Sequence, residues 1–212
     1  MSRSKDVNLD IWKRVKNSGF KGFALTCDTQ LLGKRCNDVR NKFNLPDHLK
    51  IANYEKYESK QNQTMETSSK VKSTGSALAD FMRDHKDNEF SWEIIRLIKE
   101  ETQMPVFAKG IMCMEDAFLA LQYGADGIYV SNHGARQLDT TPATIEVLPE
   151  IVKIVRQFEQ SFTPQKKIEI WFDGGVRRGS DILKALALGA DVVWIGRPVL
   201  WGLTNGGQTG VE

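Results

Sequence analysis

From Phe90 onward the chain repeats one pattern: a short β-branched or aromatic run, a polar or glycine turn, then an amphipathic segment at helical spacing. Strands read over residues 106–109, 128–130, 168–172 and 192–195, and residues 23–28 add an earlier one of the same kind. Helices read over 91–99, 114–123, 141–158 and 180–188. Ser91 is placed to cap the first of these, Gly124 stops the second, and Pro142 sits near the first turn of the third. Leu9, Ile11, Trp12 and Val15 put a short helix ahead of them, ended by Ser18-Gly19. Strands alternating with helices run parallel, because each crossover returns the chain to the same end of the sheet. The fold class is α/β, as a (β/α)8 barrel or a doubly wound open sheet.

The strand ends choose between these. All five runs end in polar or glycine-rich groups: Asp28, Lys109-Gly110, Ser131-Asn132-His133, Asp173-Gly174-Gly175 and Gly196-Arg197. Parallel α/β proteins place their chemistry at the carboxyl ends of the strands, and a site spread over five successive ends suits a barrel mouth better than a single crevice. Five strands are three fewer than a closed barrel needs, and 212 residues fall short of its usual length of roughly 250. The expected architecture is a TIM-barrel type, truncated to about its last five β/α units, in one domain over residues 1–212. Within it, residues 44–88 lose periodicity and read as a long mobile loop.

Composition excludes several alternatives. A net charge of +2, with cations scattered among acids, gives no reason to expect nucleic acid as a partner. No apolar run approaches membrane-spanning length. Cys27, Cys36 and Cys113 lack metal-ligand spacing and suggest a reducing compartment. The chain ends without a Ser-Lys-Leu tripeptide, so localisation stays open with the cytoplasm as the default.

The loop from Asp173 to Ser180 lies between a strand and a helix, where glycines let backbone N–H groups and Arg177 approach an anion. Gly196-Arg197-Pro198 repeats the arrangement one unit later, and the loops after the last two strands are the usual phosphate site of a barrel. Neither loop has the GxGxxG or P-loop spacing.

Taken together, Leu25-Thr26-Cys27-Asp28-Thr29, Leu32-Gly33-Lys34-Arg35, Ala108-Lys109-Gly110, the run from Ser131 to Asp139, Asp173 to Gly179 and Gly196-Arg197 closely resemble the FMN-dependent α-hydroxy acid oxidases. The run Ser-Asn-His-Gly-Ala-Arg-Gln-Leu-Asp is the specific part; the Asp-Gly-Gly loop is shared with other phosphate-binding barrels. The resemblance implies His133 as the base acting on a small 2-hydroxy acid of the glycolate or lactate kind, with Asp28 orienting it. It implies Arg136 and Arg35 as holders of the substrate carboxylate. It further implies FMN bound by Thr26, Lys109, Ser131, Asp173, Gly174, Gly175, Val176, Arg177, Gly196 and Arg197, with Lys109 near the edge where reduction places negative charge. Oxygen or another acceptor would reoxidise the flavin, and because the family forms oligomers the resemblance allows a homo-oligomer without fixing the oligomeric state. The competing expectation is a catalytically inactive remnant, since the resemblance covers only the second half of the family's domain.

Overall fold

The computed structural model describes residues 1–57 and 76–212. It divides into two compact units, residues 1–20 with 30–90 and residues 21–29 with 91–212.

The first unit contains α1 (Lys5–Asn17), α2 (Cys36–Arg40) and α3 (Ala77–His85). Ser4 caps α1 by accepting from the Val7 N–H, and Ser76 does the same for α3 through Ala79. Val7 and Trp12 are buried. An antiparallel bridge pairs Ser2 with Lys86, and Asn8 exchanges two 2.8 Å hydrogen bonds with the Ser2 backbone. Phe81 stacks on His85 at 4.2 Å and meets Tyr54 edge-on at 5.4 Å. The stretch expected as loop, 44–88, therefore includes a helix; short apolar spacing in Ala-Leu-Ala-Asp-Phe-Met masks an amphipathic turn. Much of that expected loop, 58–75, lies outside the described residues.

The second unit is the repeating part. Strands β1 (Phe23–Thr26), β2 (Val106–Ile111), β3 (Gly127–Val130), β4 (Glu169–Phe172) and β5 (Val192–Val193) alternate with α4 (Glu93–Thr102), α5 (Met114–Gln122), α6 (Thr144–Phe162), α7 (Gly179–Ala187) and a final α8 (Arg197–Val211). All neighbours pair in parallel, in the order β1-β2-β3-β4-β5. Sequential order without a reversal is barrel topology, since a doubly wound sheet changes direction at a switch point. The helix expected at 141–158 starts three residues later and runs to Phe162, so Pro142 precedes it instead of opening it. The last strand is shorter than expected, and α8 occupies a stretch to which the sequence reading assigned no element; its helix is interrupted at Gly206 and Gly207.

Period-two alternation sorts the sheet into two faces. Val106, Ala108, Ile128, Val130, Ile170 and Phe172 are at most 2% exposed and form the core. Each Val, Ile or Phe side chain among them contributes about 1.5–3 kcal/mol by leaving water. The other face carries Phe107, Lys109, Tyr129 and Trp171, with Lys109, Tyr129 and Trp171 in register beside Thr26. Phe107 stacks on Trp171 at 3.9 Å across Gly127, where a Cβ would lie 2.2 Å from the Phe107 ring.

At the opposite end from the polar turns, two aspartates clamp the strands. Asp126 accepts from the Val106 N–H at 2.9 Å and donates its own N–H to the Val106 carbonyl at 2.8 Å. Asp191 repeats this on Ile170 at 2.9 and 2.7 Å. Lys166 and Lys99 pair with Asp126, and Lys167 and Arg156 with Asp191. Burial alone would push both carboxyls up, but the lysine hydrogen bonds, the backbone N–H bonds and the nearby cations outweigh it and hold both below the ordinary value of 3.8. A lowered folded-state value stabilises above the unfolded one and is lost as pH falls. The melting temperature is thus expected to drop as pH falls below 3.8. A variant carrying both Asp126→Asn and Asp191→Asn should show a shallower drop; equal slopes for the two proteins would remove these carboxylates from the acid response.

Candidate active site

The turn after β3 is where the backbone departs most from ordinary geometry. His133, Gly134 and Ala135 take φ values of 57°, 64° and 58°, three successive left-handed residues. The conformation suits glycine but costs about 1–2 kcal/mol at each of the other two. Three contacts hold it. Ser131 Oγ accepts the His133 N–H at 3.2 Å, Asn132 Oδ1 accepts the Ala135 N–H at 3.2 Å, and Arg197 Nη2 donates to the Gly134 carbonyl at 3.1 Å.

His133 reaches from this turn to the end of β1, where its Nδ1 lies 3.1 Å from Asp28 Oδ1. The side chains are 27% and 13% exposed, so the pair is shielded without being sealed. A carboxylate only accepts, which assigns the ring proton to Nδ1 and leaves the Nε2 lone pair available. Asp28 is fixed in turn by Thr29 Oγ1, which donates to Oδ1 at 2.8 Å, and by Gln137 Nε2, which donates to the Asp28 carbonyl at 3.3 Å. Gly110, φ +96°, lies so close that a Cβ there would be 2.6 Å from Asp28 Cβ. The neighbouring Cys27 is not a nucleophile: burial and the Asp28 charge push its thiol up to about 12.

Lys109 extends from the inner face of β2. Its Nζ donates to Ser131 Oγ at 3.1 Å, lies 3.9 Å from Asp173 Oδ2 and sits 5.2 Å from the Tyr129 ring centre. A cleft of about 540 Å³ opens here. Its lining sets four cations, Lys109, Arg136, Arg177 and Arg197, against the single carboxylate of Asp173. Such a surplus favours an anionic occupant. Asp173 Oδ1 is buried without a hydrogen-bond partner among the described residues, an acceptor suited to a hydroxyl-bearing ligand.

The predicted residues are distributed as follows. His133, Arg136, Lys109, Asp173, Gly174, Gly175, Val176, Arg177, Gly196 and Arg197 line this cleft. Asp28 joins through His133, Ser131 through Lys109, and Thr26 pairs in register with Lys109. Arg35 belongs to the first unit, immediately before α2. The phosphate loop differs from expectation in one respect. The N–H groups of Arg177 and Arg178, just before α7, are taken by Asp181 Oδ2 at 3.1 and 3.0 Å, so these two loop amides are not free for an anion. The exposed guanidinium groups of Arg177 and Arg197 remain as anion donors. Sequence reasoning overlooked Tyr129, Trp194 and Trp201 in the cleft lining; the hydroxyl of Tyr129 inside an apolar strand was the available signal.

The family model described as FMN-dependent dehydrogenase matches residues 1–212. A 2-hydroxyacid oxidase of Dictyostelium discoideum is 43% identical over 209 residues, covering 99% of this chain and 48% of the relative. The 2-hydroxyacid oxidase 1 of Mus musculus is 42% identical, with 99% and 53% covered. Among solved structures, a mandelate oxidase with (S)-4-hydroxymandelic acid superposes with a TM-score of 0.81 at 38% identity, covering 99% of this chain and 54% of that one. The chain thus spans about half the length of the relatives it matches, and its five parallel units are part of a TIM-barrel architecture. Among the described residues no helix is long and apolar enough to cross a membrane. The family's cofactor is FMN, and the cleft suits it: the volume falls within the roughly 300–1,000 Å³ of cofactor sites, cations await a phosphate, and Asp173 offers an unpaired acceptor. The match over the whole chain, with the motif residues gathered at the strand ends, makes this chain a member of the FMN-dependent dehydrogenase family.

Proposed function

We propose that this chain carries the catalytic half-site of an FMN-dependent oxidation of a small 2-hydroxy acid to the 2-oxo acid, with oxygen as final acceptor. The observation that carries the reading is the Asp28–His133 pair, which holds a base beside a cationic cleft. FMN, when bound, supplies the two-electron acceptor. Arg177 and Arg197, with the backbone of Gly174, Gly175, Val176 and Gly196, would hold its phosphate, and Thr26, Lys109, Ser131 and Asp173 its remaining polar groups.

The protein's own groups divide the remaining work. Arg136 pairs with the substrate carboxylate through its planar fork and fixes the hydroxyl-bearing carbon. His133 Nε2 accepts one proton as that carbon is oxidised; the electron pair and the second hydrogen leave toward the acceptor. Asp28 keeps the ring in the orientation that presents Nε2 and stabilises the imidazolium formed. Lys109 places positive charge where negative charge accumulates on reduction. Arg35, as a second cation for the substrate, rests on the sequence resemblance alone.

The test is the visible spectrum of the purified chain with FMN, before and after anaerobic addition of glycolate or lactate. Yellow protein that bleaches with the acid is the expected result. Protein that takes up no FMN would instead favour an inactive remnant.

A further inference from the structure

Two of the three side chains that hold the turn carrying His133 also belong to the cationic cleft. Ser131 Oγ accepts the His133 N–H at 3.2 Å and the Lys109 ammonium at 3.1 Å. Arg197 Nη2 donates to the Gly134 carbonyl at 3.1 Å, and the same guanidinium lines the cleft. A guanidinium is a planar fork of five N–H groups, so one arm can stay on Gly134 while the others face an anion. The bond to Gly134 is exposed, where water competes for both partners and the net gain is modest. Against it stands the left-handed backbone of His133 and Ala135, at φ 57° and 58°, which disfavours residues that carry a Cβ. An anion that immobilises the guanidinium removes the rotamer freedom the Gly134 bond must otherwise overcome.

We propose that Arg197 couples the two halves of the site: a phosphate seated on its guanidinium orders the turn that carries His133, so that filling the cofactor site positions the base. Arg197 is then a positioning residue for His133, acting through the Gly134 carbonyl. This rests on the assignment of Arg197 to the FMN phosphate under the proposed function. The order of the turn is nevertheless measurable without substrate or turnover.

The readout is hydrogen exchange at the His133 and Ala135 amides, which are bonded to Ser131 and Asn132 only while the turn is formed. Saturating FMN should slow exchange at both by about tenfold, within the usual range of coupling between two sites. Arg197→Lys keeps a cation for the phosphate but lacks the fork that reaches Gly134 at the same time. At saturating FMN its two amides should exchange as they do in the FMN-free chain. Arg177→Lys is the comparison, since that guanidinium lies over the Trp201 ring at 5.7 Å; it should weaken FMN binding and keep the slowing. Amides of β3 and β4 report intact folding in every variant. FMN that binds without slowing the two amides overturns the proposal and leaves the proposed function standing. Equal slowing in Arg197→Lys also overturns it, because the cofactor would then act on the turn without Arg197. Slowing in a chain whose flavin is not bleached by glycolate or lactate keeps the coupling and removes the proposed oxidation. If the chain takes up no FMN, inorganic phosphate in excess is the probe: slowing supports the coupling, and none overturns it.

Discussion

His133→Ala is expected to slow 2-hydroxy-acid-driven bleaching of bound flavin by about 10²–10⁴-fold, the usual contribution of a positioned general base. FMN content should be unchanged, because the imidazole contacts Asp28 and the mouth of the cleft while the proposed phosphate donors lie on the loops after β4 and β5. Asp28→Asn should give a smaller loss. The amide can still meet Nδ1, but it stabilises the imidazolium less than a carboxylate does. Stopped-flow absorbance under anaerobic conditions separates these effects from binding. Bleaching by His133→Ala within about threefold of the unsubstituted chain would show that the proton is taken by another group.

The second large effect is on stability and reaches the same pair from behind. Gly110→Ala combines two penalties. The residue has φ +96°, which costs a side-chain-bearing residue about 1–2 kcal/mol. The added Cβ would lie 2.6 Å from Asp28 Cβ and 2.9 Å from the Asp28 backbone nitrogen, an overpacking worth about 1–3 kcal/mol more. The sum, about 2–5 kcal/mol, should lower the melting temperature by roughly 10 °C. Gly124→Ala provides the comparison, since φ is +92° there but a Cβ would meet nothing within 4 Å. It should show only the conformational penalty. Equal destabilisation by the two substitutions would mean that Asp28 yields freely, and that the close approach of Gly110 does not hold it against His133.

Much of this site was legible in the sequence because its signals are local. The abrupt change from Ile128-Tyr129-Val130 to Ser131-Asn132-His133 marks a strand end without knowledge of any neighbour. So do Asp28, Lys109 and Asp173, and the structure brings these residues to one end of the sheet. Helix α8 and the helix within the presumed loop were less visible. Glycines and polar residues dilute the apolar period of the first, and the second offers only nine residues of pattern.

What the sequence by itself determined is which residues can pair their backbones as strands, which face of each strand is apolar, and which polar groups follow. These depend on side-chain period and turn chemistry over a few residues. Tertiary structure alone decided the sequential order β1 to β5, the register that aligns Lys109 with Tyr129 and Trp171, and the contact of His133 with Asp28 across 105 residues. It also decided the bonding of the Arg177 and Arg178 amides to Asp181 and the left-handed turn at His133, whose cost is met by bonds from Ser131, Asn132 and Arg197. Such features depend on which of many compatible pairings buries the core and satisfies its polar groups together, and that choice is made by the packed molecule as a whole.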